Sequence, residues 1–435
     1  MSFSKSVELR KKFHSMVPGG CHTYSKGDDQ FPEDSPGFIV RGHGCHVWDV
    51  DGNRFIEYGM GLRSVTLGHA YPPVVEAAYR QMLLGSNFTR PALMEVDLAE
   101  KILGLIEGAE MVKFAKNGSD VTTAAVKLAR SYTGRDLVAI CADHPFFSVD
   151  DWFIGCTEVS AGIPKAIRDL TVKFRYNDIE SVATLFERYP GKIACLMLEP
   201  ATTEEPVGNF LQEVQALCRK NGAIFVLDEM ITGFRWDLGG GQKYYGVLPD
   251  LSTFGKAMAN GFSVSALIGR KELMDLGGIH HDKERVFLLS TTHGAETHAL
   301  AAAMETIRVY EQEDVVGYLH AQGDKLRNGI NKAIELNRIK DYFYLVGKSC
   351  NLVYVTKDAD GNRSQAFRTL FLQEMINRGI IAPSLVISFS HGESEIQRTV
   401  EAVGEALKTY RNALEDGIEK YLKGRAVKPV YRKFN

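Results

Sequence analysis

The chain has 435 residues, 45% hydrophobic and 24% charged, with a formal net charge of −3. That length can bury more than one core, and the near-neutral balance gives no electrostatic reason to bind nucleic acid or an anionic membrane. Seven cysteines without a CxxC pair, no apolar leader and no run near the ~20 apolar residues of a spanning helix together read as a reduced, cytoplasmic protein.

In chain order, a helix is predicted over 4–16, broken by Pro18-Gly19-Gly20, and a polar loop then runs to about Gly37. Strands are expected at 38–41 and 46–49, the second entering the turn Asp49-Val50-Asp51-Gly52-Asn53. From about residue 70, helices alternate with short apolar strands at 111–114, 136–142, 193–198, 223–227, 251–254, 265–269 and 286–289. Helices are expected between most of them, among them 120–132, 179–189 and 210–221. Strands apolar on both faces, separated by helices, predict an α/β fold with a mostly parallel sheet covered on both sides. A helix with the close-packing stretch Ala299-Leu300-Ala301-Ala302-Ala303-Met304 runs from 297 to about 311. Beyond it, helix 313–337, strands 342–346 and 351–356, helix 364–378, strand 386–389 and helix 393–422 form an α+β region. The expected division is a large α/β domain over 66–312 and a smaller α+β domain built from 1–65 and 313–435.

The chemistry concentrates where strands end. The apolar strand at 223–227 runs into Asp228-Glu229, and Lys256 follows Phe254-Gly255 twenty-eight residues after Asp228. A buried acid and a buried amine on neighbouring strand ends are costly unless they serve something. They read either as a structural salt bridge or as a pyridine-cofactor site, with Asp228 on the ring nitrogen and Lys256 binding an aldehyde as a Schiff base. Residues 228 and 230 share one side of an extended backbone, so Met230 could cover the ring. The turn Asn117-Gly118-Ser119-Asp120, between a strand and a helix, reads as a simple cap or as a phosphate-binding helix start. Glu199, after strand 193–198, falls at the same sheet edge. The tract Ser290-Thr291-Thr292-His293-Gly294 offers hydroxyls before the small-residue helix. Neither a Walker loop nor a dinucleotide fingerprint is present, and no HExxH or close ligand cluster predicts a metal.

These residues, in this order, resemble the class III (subgroup II) pyridoxal-phosphate aminotransferases, in the branch similar to glutamate-1-semialdehyde 2,1-aminomutase. The resemblance runs from Pro18-Gly19-Gly20 to about residue 410. It includes Asp51-Gly52-Asn53-Arg54, Leu67-Gly68-His69-Ala70, Asn117-Gly118-Ser119-Asp120, Asp228-Glu229-Met230-Ile231-Thr232-Gly233-Phe234-Arg235, Phe254-Gly255-Lys256 and Ile387-Ser388-Phe389-Ser390-His391. It implies a fold-type I enzyme, a homodimer with shared active sites, pyridoxal 5'-phosphate as cofactor, a small-molecule amino donor and a carbonyl acceptor. It assigns Lys256 as the Schiff-base lysine and Asp228 as the partner of the pyridinium nitrogen. Met230 stands where the family usually has Val, Gly118 and Ser119 form the phosphate cup, and Thr292 reaches the phosphate of the neighbouring subunit.

The chain also departs from the pattern. Where the family has Tyr-His-Gly, with the Tyr stacked on the cofactor, this chain has Asp143-His144-Pro145-Phe146-Phe147, leaving Phe146 or Phe147 as substitutes. Thr23-Tyr24-Ser25-Lys26 replaces the aminomutase's Ser-Pro-Val-Arg, so Lys26 keeps a cation toward a substrate carboxylate without the guanidinium fork. Gly61-Leu62-Arg63-Ser64 replaces a Trp-Gly-Pro region and makes Arg63 a second substrate candidate. The expectation is an intermolecular aminotransferase acting on a keto or aldehyde intermediate of secondary metabolism or surface-polysaccharide synthesis. The alternatives are an aminomutase that keeps one carbon skeleton, and a catalytically silent cofactor-binding protein. The segment 143–170, with its Pro and Gly breaks, is the expected lid.

Overall fold

The structure, a computed structural model, describes residues 1–434. It divides into two units, Pro72–Val316 and a second formed by Met1–Tyr71 with the chain from Gly317 onward.

Seven strands make the sheet of the first unit: β1 Met111–Ala115, β2 Leu137–Cys141, β3 Thr171–Phe174, β4 Ile193–Leu198, β5 Ile224–Asp228, β6 Leu251–Phe254 and β7 Ser265–Gly269. Their spatial order is β1-β7-β6-β5-β4-β2-β3. The neighbours from β6 through β3 pair in parallel, and only β7 runs antiparallel, to both β6 and β1. Every residue of β4, β5, β6 and β7 is buried, as expected for strands covered on both faces. Alternation decides which face each side chain meets. Phe225 and Leu227 enter a core with Leu185, Phe210, Leu211 and Val214 from helices Ile179–Arg188 and Phe210–Asn221. Ile224, Val226 and Asp228 therefore face the other side, where helix Gly118–Thr133 crosses β4, β6 and β7.

The outcome differs from the sequence-based expectation at identifiable places. The run at 286–289 forms no strand and leaves Phe287 73% exposed, because apolar residues make a strand only with a partner edge. Thr171–Phe174 is a strand the pattern did not announce; it is a four-residue edge strand buried only at its last residue.

In the second unit, Ile39–His43, His46–Asp49 and Arg54–Glu57 form an antiparallel sheet, extended by Ile380–Ile381 in parallel with Arg54–Glu57. Phe343–Val346, Asn351–Thr356 and Leu385–Val386 form another, the last shorter and earlier than the expected 386–389. Helices Gln365–Asn377 and Glu393–Asp416 pack together, the second ending before the expected 422. Among the described residues no helix is long and apolar enough to cross a membrane, and no group of His, Cys, Asp or Glu is arranged to hold a metal ion.

Candidate active site

The parallel strands, with β1 running the same way, deliver their carboxyl ends to one edge of the sheet. There Gly118 follows β1, His144 follows β2, Glu199 follows β4, Asp228 closes β5 and Lys256 follows β6. In an open α/β sheet this edge is where ligands bind.

Asp228 is 2% exposed, and its Oδ1 accepts from the Met230 N–H at 3.0 Å and the Thr253 hydroxyl at 3.1 Å. Burial pushes its carboxyl above the ordinary carboxylate range, and the nearby Lys256 charge opposes that shift, with the two hydrogen bonds helping. Lys256 is only half-buried, which corrects the expectation of a buried amine. It opens the short helical turn Lys256–Ala259 with φ +42, a left-handed conformation that costs an L-residue about 1–2 kcal/mol. Such strain persists where surrounding structure holds it, and here Gly255 ahead of it and the buried Ala257-Met258-Ala259 behind it do so.

Met230 ties the parts together. A Cβ on Gly118 would meet its sulfur at 3.1 Å, and one on Gly255 would meet it at 2.7 Å. The helix start, the strand end bearing Asp228 and the approach to Lys256 thus share one side chain, and a larger residue at either glycine would have to displace the Met230 sulfur. Helix Gly118–Thr133 begins with the Asp120 carboxylate accepting from the backbone N–H groups of Asn117 at 2.9 Å and Lys116 at 3.2 Å. Sixteen residues of helix direct their dipole at Gly118 and Ser119.

Glu229 is fully buried on the opposite side of the strand end. It accepts from the Gly241 N–H at 2.7 Å, the Gln242 N–H at 2.6 Å and the Thr232 hydroxyl, which pins the 229–242 loop. Burial still pushes its carboxyl up to about 7. Glu199 is 2% exposed, and its N–H donates to His144 Nδ1 at 3.0 Å. His144 is therefore the Nε2–H tautomer, and burial lowers it to about 3.

The structure separates the two aromatic candidates. Both rings meet Phe153 edge-on, but Phe147 is 1% exposed and so is committed to the core. Phe146 is 42% exposed. The expected lid at 143–170 is also corrected in its first part. Val149 N–H donates to Ser119 Oγ at 3.0 Å, Thr122 Oγ1 donates to the Phe147 carbonyl at 2.8 Å, and Trp152 Nε1 donates to Thr123 Oγ1 at 2.8 Å. Residues 147–153 are stitched to the helix start and do not form a free flap.

Thr292 is exposed, and its carbonyl accepts from Asn87 Nδ2 at 3.0 Å. No contact links it to Gly118 or Ser119 within the described residues. Lys26 and Arg63 belong to the second unit. Lys26 is exposed on the turn Tyr24–Lys26, and Arg63 is half-buried with its Nε donating to Asn351 Oδ1 at 2.8 Å. Arg63 also ends a feature that sequence reasoning missed: Met60, Gly61, Leu62 and Arg63 all take positive φ, at 42°, 59°, 57° and 72°. L-residues rarely adopt that hand in succession. Gly61 was the only signal in the sequence.

The aminotransferase class-III family model matches residues 29–144 and 148–373. The chain belongs to the class-III aminotransferases. This aminotransferase is 30% identical to a glutamate-1-semialdehyde 2,1-aminomutase of Geotalea daltonii, over 94% of this chain and 100% of that protein. It is also 30% identical to a 3-aminobutyryl-CoA aminotransferase of Cloacimonas acidaminovorans, over 95% and 99% of the two chains. Among solved structures it superposes on the Sphingopyxis FumI protein in its pyridoxal-phosphate internal aldimine form, with a TM-score of 0.85 and 26% identity over 95% and 98% of the chains. The fold is that of the fold-type I pyridoxal-phosphate enzymes, and the chain is a pyridoxal-phosphate-dependent enzyme of amino transfer.

The residues present fit that cofactor. A helix start suits a dianion, a buried acid at a strand end suits a pyridinium, and a half-buried lysine suits an aldehyde.

Proposed function

We propose that this enzyme is an intermolecular aminotransferase whose reaction centre is Lys256, Asp228, Met230, Gly118 and Ser119. The observation that carries this reading is the single cluster joining Gly118, Gly255 and Asp228 through Met230.

The N–H groups at the start of helix Gly118–Thr133, with the Ser119 hydroxyl, would hold the cofactor phosphate. Lys256 would bind its aldehyde as the covalent anchor. Asp228 would keep a proton on the ring nitrogen, its own carboxylate steered by Met230 N–H and Thr253. Met230 would cover one ring face, Phe146 is the aromatic side chain left to lie against the other, and Glu199 would hydrogen-bond at the ring edge. Bound pyridoxal phosphate supplies the electron sink for the charge left when a proton leaves the substrate carbon. The Lys256 amine, when not covalently engaged, would take that proton as a general base and give it back as a general acid.

Transfer between two molecules is favoured over an aminomutase reaction by the substrate-side departures. Lys26 presents one exposed ammonium where a guanidinium fork stands in the aminomutase, and Arg63 is engaged with Asn351. The carboxylate of a keto or aldehyde acceptor is the group these two cations would meet. Identities of 30–32% to glutamate-1-semialdehyde aminomutases and 30% to an aminobutyryl-CoA aminotransferase are too close to decide between the two reactions. Purified enzyme given glutamate 1-semialdehyde without an amino donor should form no 5-aminolevulinate at a catalytic rate; efficient conversion would overturn this reading. Lys256→Ala should lose the visible absorbance of the covalently bound cofactor and about 10²–10⁴-fold or more of its turnover. Retention of both would remove Lys256 from the mechanism.

The functional molecule is proposed to be a homodimer. Leu83, Leu84 and Leu93 are 70%, 74% and 75% exposed, with Phe88 and Val96 also exposed, on helices Pro72–Leu84 and Leu93–Leu105 and the segment joining them, both helices packing on Thr297–Gln312. Exposed large apolar side chains grouped along one stretch of chain are what a partner subunit would cover. Asn87 lies within it and holds the Thr292 carbonyl, so the same surface would carry Thr292 toward a partner's phosphate site.

A further inference from the structure

A cavity of about 340 Å³ lies in the second unit, lined by His46, Arg54, Ile56, Gly379, Glu395 and Arg398, among others. No residue of the Lys256 cluster lines it. Its floor is the Arg54–Glu57 strand, where Phe55 and Ile56 are buried, and one wall is the first turns of helix Glu393–Asp416. Among the described residues neither Arg54 nor Arg398 has a carboxylate within ion-pair distance. Arg54 Nη2 donates to His46 Nε2 at 2.8 Å, which makes His46 a neutral acceptor and fixes the guanidinium. Arg398 Nη2 donates to the Arg378 carbonyl at 3.5 Å. Burial, and then the charges of Arg54 and Arg398, hold the His46 imidazole below its ordinary range, with Glu395 opposing them. Gly379, φ +79, lies between the arginines, where a Cβ would stand 3.5 Å from Met1 Cε and 3.6 Å from both Arg398 Nη2 and the Arg54 carbonyl oxygen. Glu395 supplies the one carboxylate, with Oε2 accepting from Ser394 Oγ at 2.9 Å.

Two guanidiniums with no acid partner present paired donors to a carboxylate. Glu395 in the same cavity disfavours a dianionic phosphate and suits an ammonium. The volume matches a small ligand. We propose that this cavity is a second ligand site, separate from the reaction centre, that binds a free α-amino acid: its carboxylate on Arg54 and Arg398, its ammonium beside Glu395. The assignment stands on these residues and is independent of the roles given to Lys256 and Asp228.

The test is calorimetric titration of the cofactor-loaded enzyme with N,N-dimethylglycine, a zwitterion whose tertiary amine cannot condense with an aldehyde. Saturable binding is expected, weakened roughly tenfold or more in Arg398→Ala and in Arg54→Ala, while cofactor absorbance stays as in the parent. Arg398 is exposed, so its loss should leave folding intact, which circular dichroism checks. Glu395→Gln should weaken dimethylglycine and strengthen acetate. Absence of saturable binding overturns the proposal, as does equal affinity in Arg398→Ala. Tighter binding of inorganic phosphate than of dimethylglycine overturns the amino-acid assignment.

Discussion

At Glu229, burial and hydrogen bonding pull in opposite directions. Two backbone N–H groups and a hydroxyl favour the ionised form, yet burial dominates and raises the carboxyl from 4.5 to about 7. A carboxyl that titrates higher when folded makes the folded state bind the proton more tightly. Its contribution to stability is therefore fully present below the unfolded value and declines as pH rises from about 4.5 to about 7. Glu229→Gln should flatten the slope of unfolding free energy against pH in that window, measured by urea denaturation at a series of pH values; an unchanged slope would show that Glu229 does not titrate there. Lys256 poses a different question of scale. Its identity and its place after Phe254-Gly255 were legible in the sequence, whereas its φ of +42 was not, because backbone strain is imposed by the groups packed around a residue. The same holds for Phe146 and Phe147. Adjacent identical side chains carry no local signal of which one is buried; both rings meet Phe153 edge-on, and only the exposures, 42% for Phe146 and 1% for Phe147, separate them.

Elements show where close approach replaces side-chain bulk. Gly323, in helix Val315–Asn337, lies against the Ser349–Cys350 backbone, and a Cβ there would stand 2.1 Å from the Ser349 carbonyl oxygen. Because backbone cannot swing aside, Gly323→Ala should destabilise by about 1–3 kcal/mol, read from the denaturation midpoint. The C-terminal segment clasps the N-terminal one. Arg425 Nη2 donates to the Asp28 carbonyl at 2.7 Å, Lys428 N–H to the Asp29 carbonyl at 3.0 Å, and Arg432 pairs with Asp29 at 2.7 Å. These bonds hold the stretch that follows Lys26. Truncation after Leu422 should raise amide exchange over 24–31 and raise KM for the acceptor more than it lowers kcat. If KM is unchanged while exchange rises, Lys26 has no part in substrate binding. The strongly periodic helices and continuously apolar strands were legible because each repeats one simple pattern. Thr171–Phe174 was not, since a four-residue edge strand with one buried residue looks like loop.

For the whole molecule, the formal net charge of −3 gives weak mutual repulsion, and the exposed leucines at 83, 84 and 93 give a surface to cover. The double substitution Leu84→Asp and Leu93→Asp should shift sedimentation from dimer to monomer. It should also weaken cofactor retention if, as proposed, Thr292 reaches a partner's phosphate site in that dimer. A variant that stays dimeric would place the interface elsewhere. The sequence by itself determined the order of apolar strands and helices, the glycines at 118 and 255, and the two charged groups that a pyridine cofactor needs, because these depend on local spacing and residue type. Only the tertiary structure decided that β5 and β6 are neighbours, that Met230 touches both glycines, that Thr292 faces outward, and that Arg54 and Arg398 share a cavity across more than three hundred residues of chain. Those facts follow from strand order and packing between distant segments, which no local pattern encodes.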